Sequence, residues 1–346
     1  MVKQLIQNMM KAINISDIKK IGVVEKAKPE PTKGEVLLKI KYVGFCGSDL
    51  NTFLGKNPMV KLPVVPGHEI SATVEAVTEG VPETLRKGMR CTVNPYTNCE
   101  HCSSCRNGRP NACRYNQTLG VQRDGAMSEY IVVPWQKVIA DDAISERNFT
   151  LVEPMSVGFH AVSRAAVTDL DVVMVIGCGM IGIGALVRAA LRGARVIAVD
   201  VDDEKLQLAK RMGAVYTINS ATEDVHARLS EITGDMGPDV VIEAVGAPAT
   251  YRMAVDEVAF TGRVVCIGYA KSEVAFETKY FVSKELDIRG SRNALPEDFR
   301  AVMEYVKRNE IPDILISGIY PPEKAEEAMT TWSDNPGKVF RIFIAF

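Results

Sequence analysis

The sequence predicts an α/β protein in two parts, a β-rich domain and a doubly wound parallel sheet with helices on both faces. Three observations predict it. Period-two apolar runs broken by Pro and Gly fill roughly the first 150 residues. Strand-length and helix-length runs alternate after that point, the pattern of βαβ units. A G-x-G-x-x-G turn stands between the first of those strands and its helix.

In the first part, Gly34–Val43, His68–Val77, Arg90–Val93 and Ser128–Val133 read as strands. A helix over Pro154–Val167 marks the change of rhythm. Strands then follow at Val172–Ile176, Arg195–Val199, Val215–Ile218, Asp239–Ala244, Val264–Ile267 and Leu286–Arg289. Helices Met180–Arg192, Glu204–Met212, Glu223–Ile232 and Ala249–Phe260 lie between them. From about Pro296 the tail carries two amphipathic helices and a final apolar strand, Val339–Ala345. It reads as a return to the first domain, which gives domains of 1–155 with 293–346, and 156–292.

Composition narrows the function. The chain has 346 residues, 47% apolar and 24% charged, with a net charge of −2. That is enough apolar surface to build cores, and the balance excludes a basic nucleic-acid surface over the whole protein, though not a local patch. The longest uncharged run, Val172–Val187, is sixteen residues with four glycines, short of the roughly 20 a membrane span needs. Polar residues interrupt Met1–Asn8, which does not read as a secretory signal, and a second start at Met9-Met10-Lys11 would make those eight residues an extension. A cytoplasmic protein is therefore expected, bound neither to membrane nor to nucleic acid.

Four of the eight cysteines fall within fifteen residues, as Cys99-x2-Cys102-x2-Cys105-x7-Cys113. In a reducing compartment such a cluster points to zinc, because four thiolates close a tetrahedron and one short loop can wrap it. Four protein ligands leave no open position, so this zinc is expected to be structural, on a lobe of about 95–115. His101 reads as exposed. Cys91, Cys178 and Cys266 read as inert.

A second set is dispersed. Cys46-Gly47-Ser48-Asp49 follows a strand, Gly67-His68-Glu69 opens the next, and Glu153-Pro154 stands at the domain junction. Each is weak alone. Together they offer a thiolate, an imidazole and carboxylates, which suit a zinc with an open position. Asp49 is expected to fix the His68 tautomer, and Ser48 to pass on an alcohol proton.

The turn Gly177-Cys178-Gly179-Met180-Ile181-Gly182 is set to bind a dinucleotide pyrophosphate at the helix N-terminus. Asp200, at the end of the next strand, is placed to hold the ribose hydroxyls. Val201, Asp202, Asp203 and Glu204 follow it, a negative field that favours NAD over NADP.

These motifs resemble the zinc-containing medium-chain alcohol dehydrogenase family, over nearly the whole chain. The resemblance implies a GroES-like catalytic domain, a Rossmann domain and two zincs. One zinc sits on Cys99, Cys102, Cys105 and Cys113. The other sits on Cys46 and His68, with Glu69 and Glu153 as the carboxylates near it. It further implies coenzyme contacts at Gly177, Gly179, Met180, Ile181, Gly182, Asp200, Lys205, Val245, Ile267 and Gly268. Substrate contacts follow at Phe53, Arg123 and Arg292, where an Arg would meet a carboxylate.

Glu153-Pro154-Met155-Ser156-Val157-Gly158-Phe159-His160 is similar to the polyol, sugar-acid and threonine dehydrogenase branches. The expected reaction is reversible oxidation of a secondary hydroxyl in a polyol or sugar acid to a ketone with NAD. A threonine 3-dehydrogenase or a general secondary-alcohol dehydrogenase is the alternative, and a nucleotide- or zinc-sensing protein the non-enzymatic one. The family also implies a homodimer or homotetramer, with Val274–Ile288 offering edge strands. Many members carry His where Asn51 stands, and Gly where Ala72 stands.

Overall fold

The computed structural model describes residues 9–346. The reading of Met1–Asn8 as a non-secretory extension lies outside the described residues. Contacts divide the chain into two compact units. One runs to Glu153 and resumes over Val302–Phe346, and the other is Pro154–Ala301. The sequence set the second boundary at 292/293. The structural one falls later because it cuts the helix Pro296–Arg308, which has residues in both units.

The first unit opens with a hairpin, β1 (Met9–Asp17) and β2 (Lys20–Ala27). Its main sheet holds β3 (Glu35–Phe45), β4 (Glu69–Val77), β5 (Arg90–Val93), β6 (Tyr130–Pro134) and β7 (Val138–Ala140). The tail adds β14 (Gly318–Tyr320) and β15 (Ile342–Ala345), and the order is β14-β15-β3-β4-β5-β7, with β6 on β3. The core explains the register. Val36, Leu38 and Ile40 of β3, and Ile70, Ala72 and Val74 of β4, alternate into one apolar cluster. Ile342 and Ile344 join it from β15, which pairs antiparallel with β3. The hairpin, β7 and β14 were not among the expected strands. They are half polar or only three residues long, so their apolar period is weak.

The second unit is an all-parallel six-stranded sheet. In chain order the strands are β8 (Val172–Ile176), β9 (Arg195–Asp200), β10 (Tyr216–Asn219), β11 (Val240–Glu243), β12 (Arg263–Cys266) and β13 (Asp287–Gly290). Their order in space is β10-β9-β8-β11-β12-β13, so the direction of winding reverses between β8 and β11. The central strands β8 and β11 are near-continuous apolar runs because helices cover both faces. Val274–Ile288 is not one extended edge. It contains the helix Lys279–Ser283, and only Asp287 and Ile288 reach β13. No helix among the described residues is long and apolar enough to cross a membrane.

The turn between β8 and the helix Met180–Leu191 is specified by contact. Gly177 has φ +92°, and a Cβ on Gly182 would lie 1.7 Å from the Gly177 carbonyl oxygen. Only glycine lets the helix close on the strand here. Gly182→Ala should therefore cost about 1–3 kcal/mol of stability through overpacking. Urea unfolding checks this, and an unchanged midpoint would show that the turn can yield.

Candidate active site and metal centres

The cysteine lobe is built by local turns. The Cys102 N–H donates to Cys99 Sγ (3.3 Å), and the Cys99 and Tyr115 N–H groups donate to Cys113 Sγ (both 3.3 Å). Cys102 Sγ lies 3.5 Å from Cys105 Sγ and 3.8 Å from Cys113 Sγ. A zinc tetrahedron with bonds of about 2.3 Å has sulfur–sulfur edges of about 3.8 Å. The four sulfurs all lie within 4.8 Å of one another, so the cage fits the ion. The Ser104 hydroxyl and the N–H groups of Cys105 and Arg114 pull the Cys102 thiol down to about 5. Burial and the neighbouring thiols push Cys105 up to about 11. His101 is exposed, with Nδ1 2.6 Å from the Cys99 carbonyl.

The dispersed donors converge in the same unit. Cys46 caps the helix Gly47–Phe53. Its Sγ accepts from the Ser48 N–H (3.2 Å), while Asp49 Oδ2 accepts from the Cys46 N–H (2.9 Å). This reciprocal cap fixes where the sulfur points. The Ser48 hydroxyl lies 2.7 Å from that sulfur. His68 follows Pro66-Gly67, whose carbonyls accept from Met127 and Ala126. Glu69 opens β4 opposite Gly44 of β3, where a Cβ would lie 2.3 Å from Glu69 Oε2. Glycine at 44 thus makes room for the carboxylate. The donor atoms of Cys46, His68 and Glu69 lie within 4.8 Å of one another, and all three residues are buried.

Burial makes this cluster electrostatically costly. It pushes Glu69 up to about 8, with Arg341 opposing and Glu153 adding to the shift. It pushes the Cys46 thiol well above its usual range, helped by Asp49 and Glu69. Beside Glu69 stands Arg341, 4% exposed, whose Nε lies 3.1 Å from Glu69 Oε2. That contact is an ion pair without hydrogen-bond alignment, since both atoms lack a hydrogen-bond partner. A divalent cation suits the donor set, because it would favour the ionised forms of Cys46 and Glu69 that burial disfavours.

Three features differ from the sequence reading or were absent from it. The Asp49–His68 bond is not formed. Asp49 holds the Cys46 N–H instead, and Asp49 Oδ1 and His68 Nδ1 are both buried without a hydrogen-bond partner. Glu153 lies outside the close trio, and its Oε1 accepts from the Tyr96 hydroxyl. Arg341 and Tyr96 were both missed. The signal for Arg341 was a lone charge inside the apolar run Val339–Ala345. Tyr96, three residues before Cys99, carried none.

In the second unit the Asp200 carboxylate meets the glycine turn. Its Oδ2 accepts from the Cys178 N–H (2.6 Å), and its Oδ1 from Val201 (2.8 Å) and Asp202 (3.1 Å). Gly179 caps the helix that Met180, Ile181 and Gly182 begin, and half-buried Lys205 opens onto the same end. Val245 is exposed in a turn that buried Glu243 holds, its Oε1 accepting from Val245 (3.0 Å), Gly246 (2.8 Å) and Thr250 (2.8 Å). Ile267 and Gly268 follow β12, half-buried. Of the substrate candidates, Phe53 lies in the apolar core, Arg123 is half-buried with Nε unpartnered, and Arg292 is exposed.

Comparison with known proteins then gives the family. Residues 32–142 match the alcohol dehydrogenase GroES-like domain, and residues 181–308 match the zinc-binding dehydrogenases. The L-galactonate-5-dehydrogenase of Escherichia coli K12 is 34% identical over 294 residues, 85% of this chain and 86% of its own. The chain belongs to the zinc-containing medium-chain alcohol dehydrogenases. A sorbitol dehydrogenase of Halalkalibacterium halodurans is 32% identical over 84% of this chain and 85% of its own. Among solved structures, the alcohol dehydrogenase RspB of Escherichia coli CFT073, complexed with NADH, has a TM-score of 0.90 and 29% identity. That match covers 98% of this chain and 100% of RspB. A Sinorhizobium meliloti 1021 protein bound to NADP has a TM-score of 0.88 and 28% identity, over 98% and 99%.

This medium-chain dehydrogenase is a zinc-type alcohol dehydrogenase that uses a nicotinamide coenzyme, and it carries both a four-cysteine and a Cys-His-Glu donor set. Its buried Arg341–Glu69 pair gives a direct test. In metal-free protein above about pH 8, where Glu69 is ionised, Arg341→Met should cost about 3–5 kcal/mol, since it leaves a buried carboxylate uncompensated. Adding Glu69→Gln should recover much of that loss. Denaturant unfolding of the two variants measures it, and an equal loss in both would assign Arg341 to packing alone.

Proposed function

We propose that the protein oxidises a secondary hydroxyl of a polyol or sugar acid to the ketone, reversibly, with NAD. One observation carries this reading: the buried convergence of Cys46, His68 and Glu69 with a hydroxyl, Ser48, against the sulfur. Cys46, His68 and Glu69 would hold zinc, which when bound polarises a hydroxyl oxygen and lowers its pKa. The residues around it do the rest. Ser48, beside the Cys46 sulfur, is positioned to take the hydroxyl proton while passing its own on to water or a coenzyme ribose hydroxyl, in a site where Asn51 supplies no titratable relay. The trio is buried, which strengthens each charge contact there. The glycine turn with Asp200 would hold and orient the coenzyme, whose nicotinamide would supply the hydride acceptor.

The named activities of the galactonate and sorbitol relatives support a polyol-like substrate. The half-buried Arg123, with Nε unpartnered, favours a carboxylate on it, because a guanidinium can clamp a carboxylate with two hydrogen bonds. Four thiols that must stay reduced to hold a metal suit the cytoplasm. The exposed edge strand β13 suits a homodimer or homotetramer.

NADH absorbance across hexonates, neutral polyols, threonine and simple secondary alcohols tests the substrate. Activity on threonine or simple alcohols alone would replace this reading. Arg123→Ala should hurt a hexonate more than sorbitol, and equal effects would remove the carboxylate argument. For the coenzyme, NAD should exceed NADP in kcat/KM by about one to two decades, since each 1.4 kcal/mol is about tenfold. Asp200→Ser should erode that preference, and an unmodified enzyme preferring NADP would overturn it.

Metal analysis should return two zincs per chain. Cys46→Ser should lose one zinc and nearly all turnover with the fold intact. Cys105→Ser should lose stability first, because a structural zinc contributes folding energy.

A further inference from the structure

Glu153 poses a problem for a zinc with an open position. Such a site takes three protein ligands and keeps the fourth for water or substrate. Cys46, His68 and Glu69 already supply three donors within 4.8 Å of one another. Glu153 is a further carboxylate, 4% exposed, and its Oε1 sits on the Tyr96 hydroxyl and not among the donor atoms of the trio. A carboxylate that reached the metal would compete for the fourth position or displace Glu69.

The structure holds Glu153 in place. Tyr96 lies three residues past β5, at the entrance to the cysteine lobe, and is itself 4% exposed. Its backbone is fixed on both sides. The Tyr96 N–H donates to Asn94 Oδ1 (3.1 Å), and the Leu119 N–H donates to the Pro95 carbonyl (3.1 Å). Its hydroxyl donates to Glu153 Oε1. The sense of this bond follows from chemistry, since an ionised phenol against a carboxylate would set two anions together. A hydrogen bond to a charged acceptor is among the stronger kinds, and both partners here are buried. Glu153 sits in the first turn of the helix Val152–Ala165, so its backbone cannot swing to follow a metal.

We propose that Tyr96 is a positioning residue: its hydroxyl holds Glu153 Oε1 and keeps Glu153 out of the ligand set, leaving the fourth position to water or the substrate hydroxyl. The proposal rests on the zinc reading of Cys46, His68 and Glu69. What it adds is the role of Tyr96, which holds Glu153 through one hydrogen bond between two buried side chains.

Cobalt(II) substitution tests this without turnover. Cobalt bands report coordination number, and subtracting the spectrum of Cys46→Ser isolates the Cys46 site from the four-cysteine site. The wild-type difference spectrum should show four-coordinate bands with thiolate charge transfer. In Tyr96→Phe those bands should weaken and shift as Glu153 enters, with kcat/KM down about 10–100-fold, the usual cost of an outer-sphere partner. In Tyr96→Phe with Glu153→Gln the spectrum should return to the wild-type form, because no anionic carboxylate remains to enter. A merely structural role for Tyr96 would not be rescued this way. An unchanged Tyr96→Phe spectrum, or one that the second substitution does not restore, overturns the proposal while leaving the zinc site standing. An empty wild-type difference spectrum overturns the zinc reading, and the proposal with it.

Discussion

An excess of buried acidic groups governs the first unit. Cys46, Asp49, Glu69 and Glu153 are each at most 8% exposed, and Arg341 is the one guanidinium paired with them. Burying ionised groups costs several kcal/mol each unless opposite charge and hydrogen bonds offset it. Much of the local architecture answers that constraint. Gly44 leaves space for the Glu69 carboxylate, the cap on the helix Gly47–Phe53 gives Asp49 an N–H to hold, and Tyr96 gives one to Glu153. The tail returns as β15 beside β3, which carries Arg341 to Glu69 and lets its Nη1 donate to the Phe45 carbonyl (3.2 Å). A dication at the trio completes the balance.

The two donor sets follow different folding logic. The four-cysteine cage is assembled within fifteen residues by turns whose N–H groups point at the sulfurs. It needs little from the rest of the protein, and metal binding and lobe folding are one event. The Cys-His-Glu trio depends on the sheet. Cys46 lies just past β3 and Glu69 opens β4, and the register pairing Gly44 with Glu69 sets their separation. A one-residue slip would turn the Glu69 side chain to the other face. This set is positioned by the strands of the apolar core.

The same distinction explains what could be read from sequence. Local patterns were legible: the cysteine spacing, the glycine turn after β8, the helix Met180–Leu191 that follows it, and the six strands of the parallel sheet. Individual donors of the dispersed site were legible by residue type and by position next to strands. Their partners were not, because those come from pairings between distant segments. Arg341 meets Glu69 only through the β15–β3 register, and Tyr96 meets Glu153 across a turn and a helix start. The expected Asp49–His68 bond failed for a local reason. The helix cap claims Asp49 first, through an N–H three residues away. Val274–Ile288 misled because its apolar residues fit either state, and Lys279–Ser283 coils into a helix.

Asp200 organises the glycine turn of the second unit. An ionised carboxylate offers about four acceptor sites. Three are taken by the N–H groups of Cys178, Val201 and Asp202. Those bonds tie the end of β9 to the glycine turn, so the residue that would meet the ribose also shapes the loop that would meet the pyrophosphate. Ribose hydroxyls can donate to the remaining site or share an occupied one. A phosphate on the ribose cannot donate when ionised, and it would bring charge against a carboxylate that the loop holds in place. The side chain has little freedom to withdraw, since moving it would release three backbone donors. The coenzyme preference proposed for Asp200 would thus be coupled to the integrity of the turn, which its three hydrogen bonds hold.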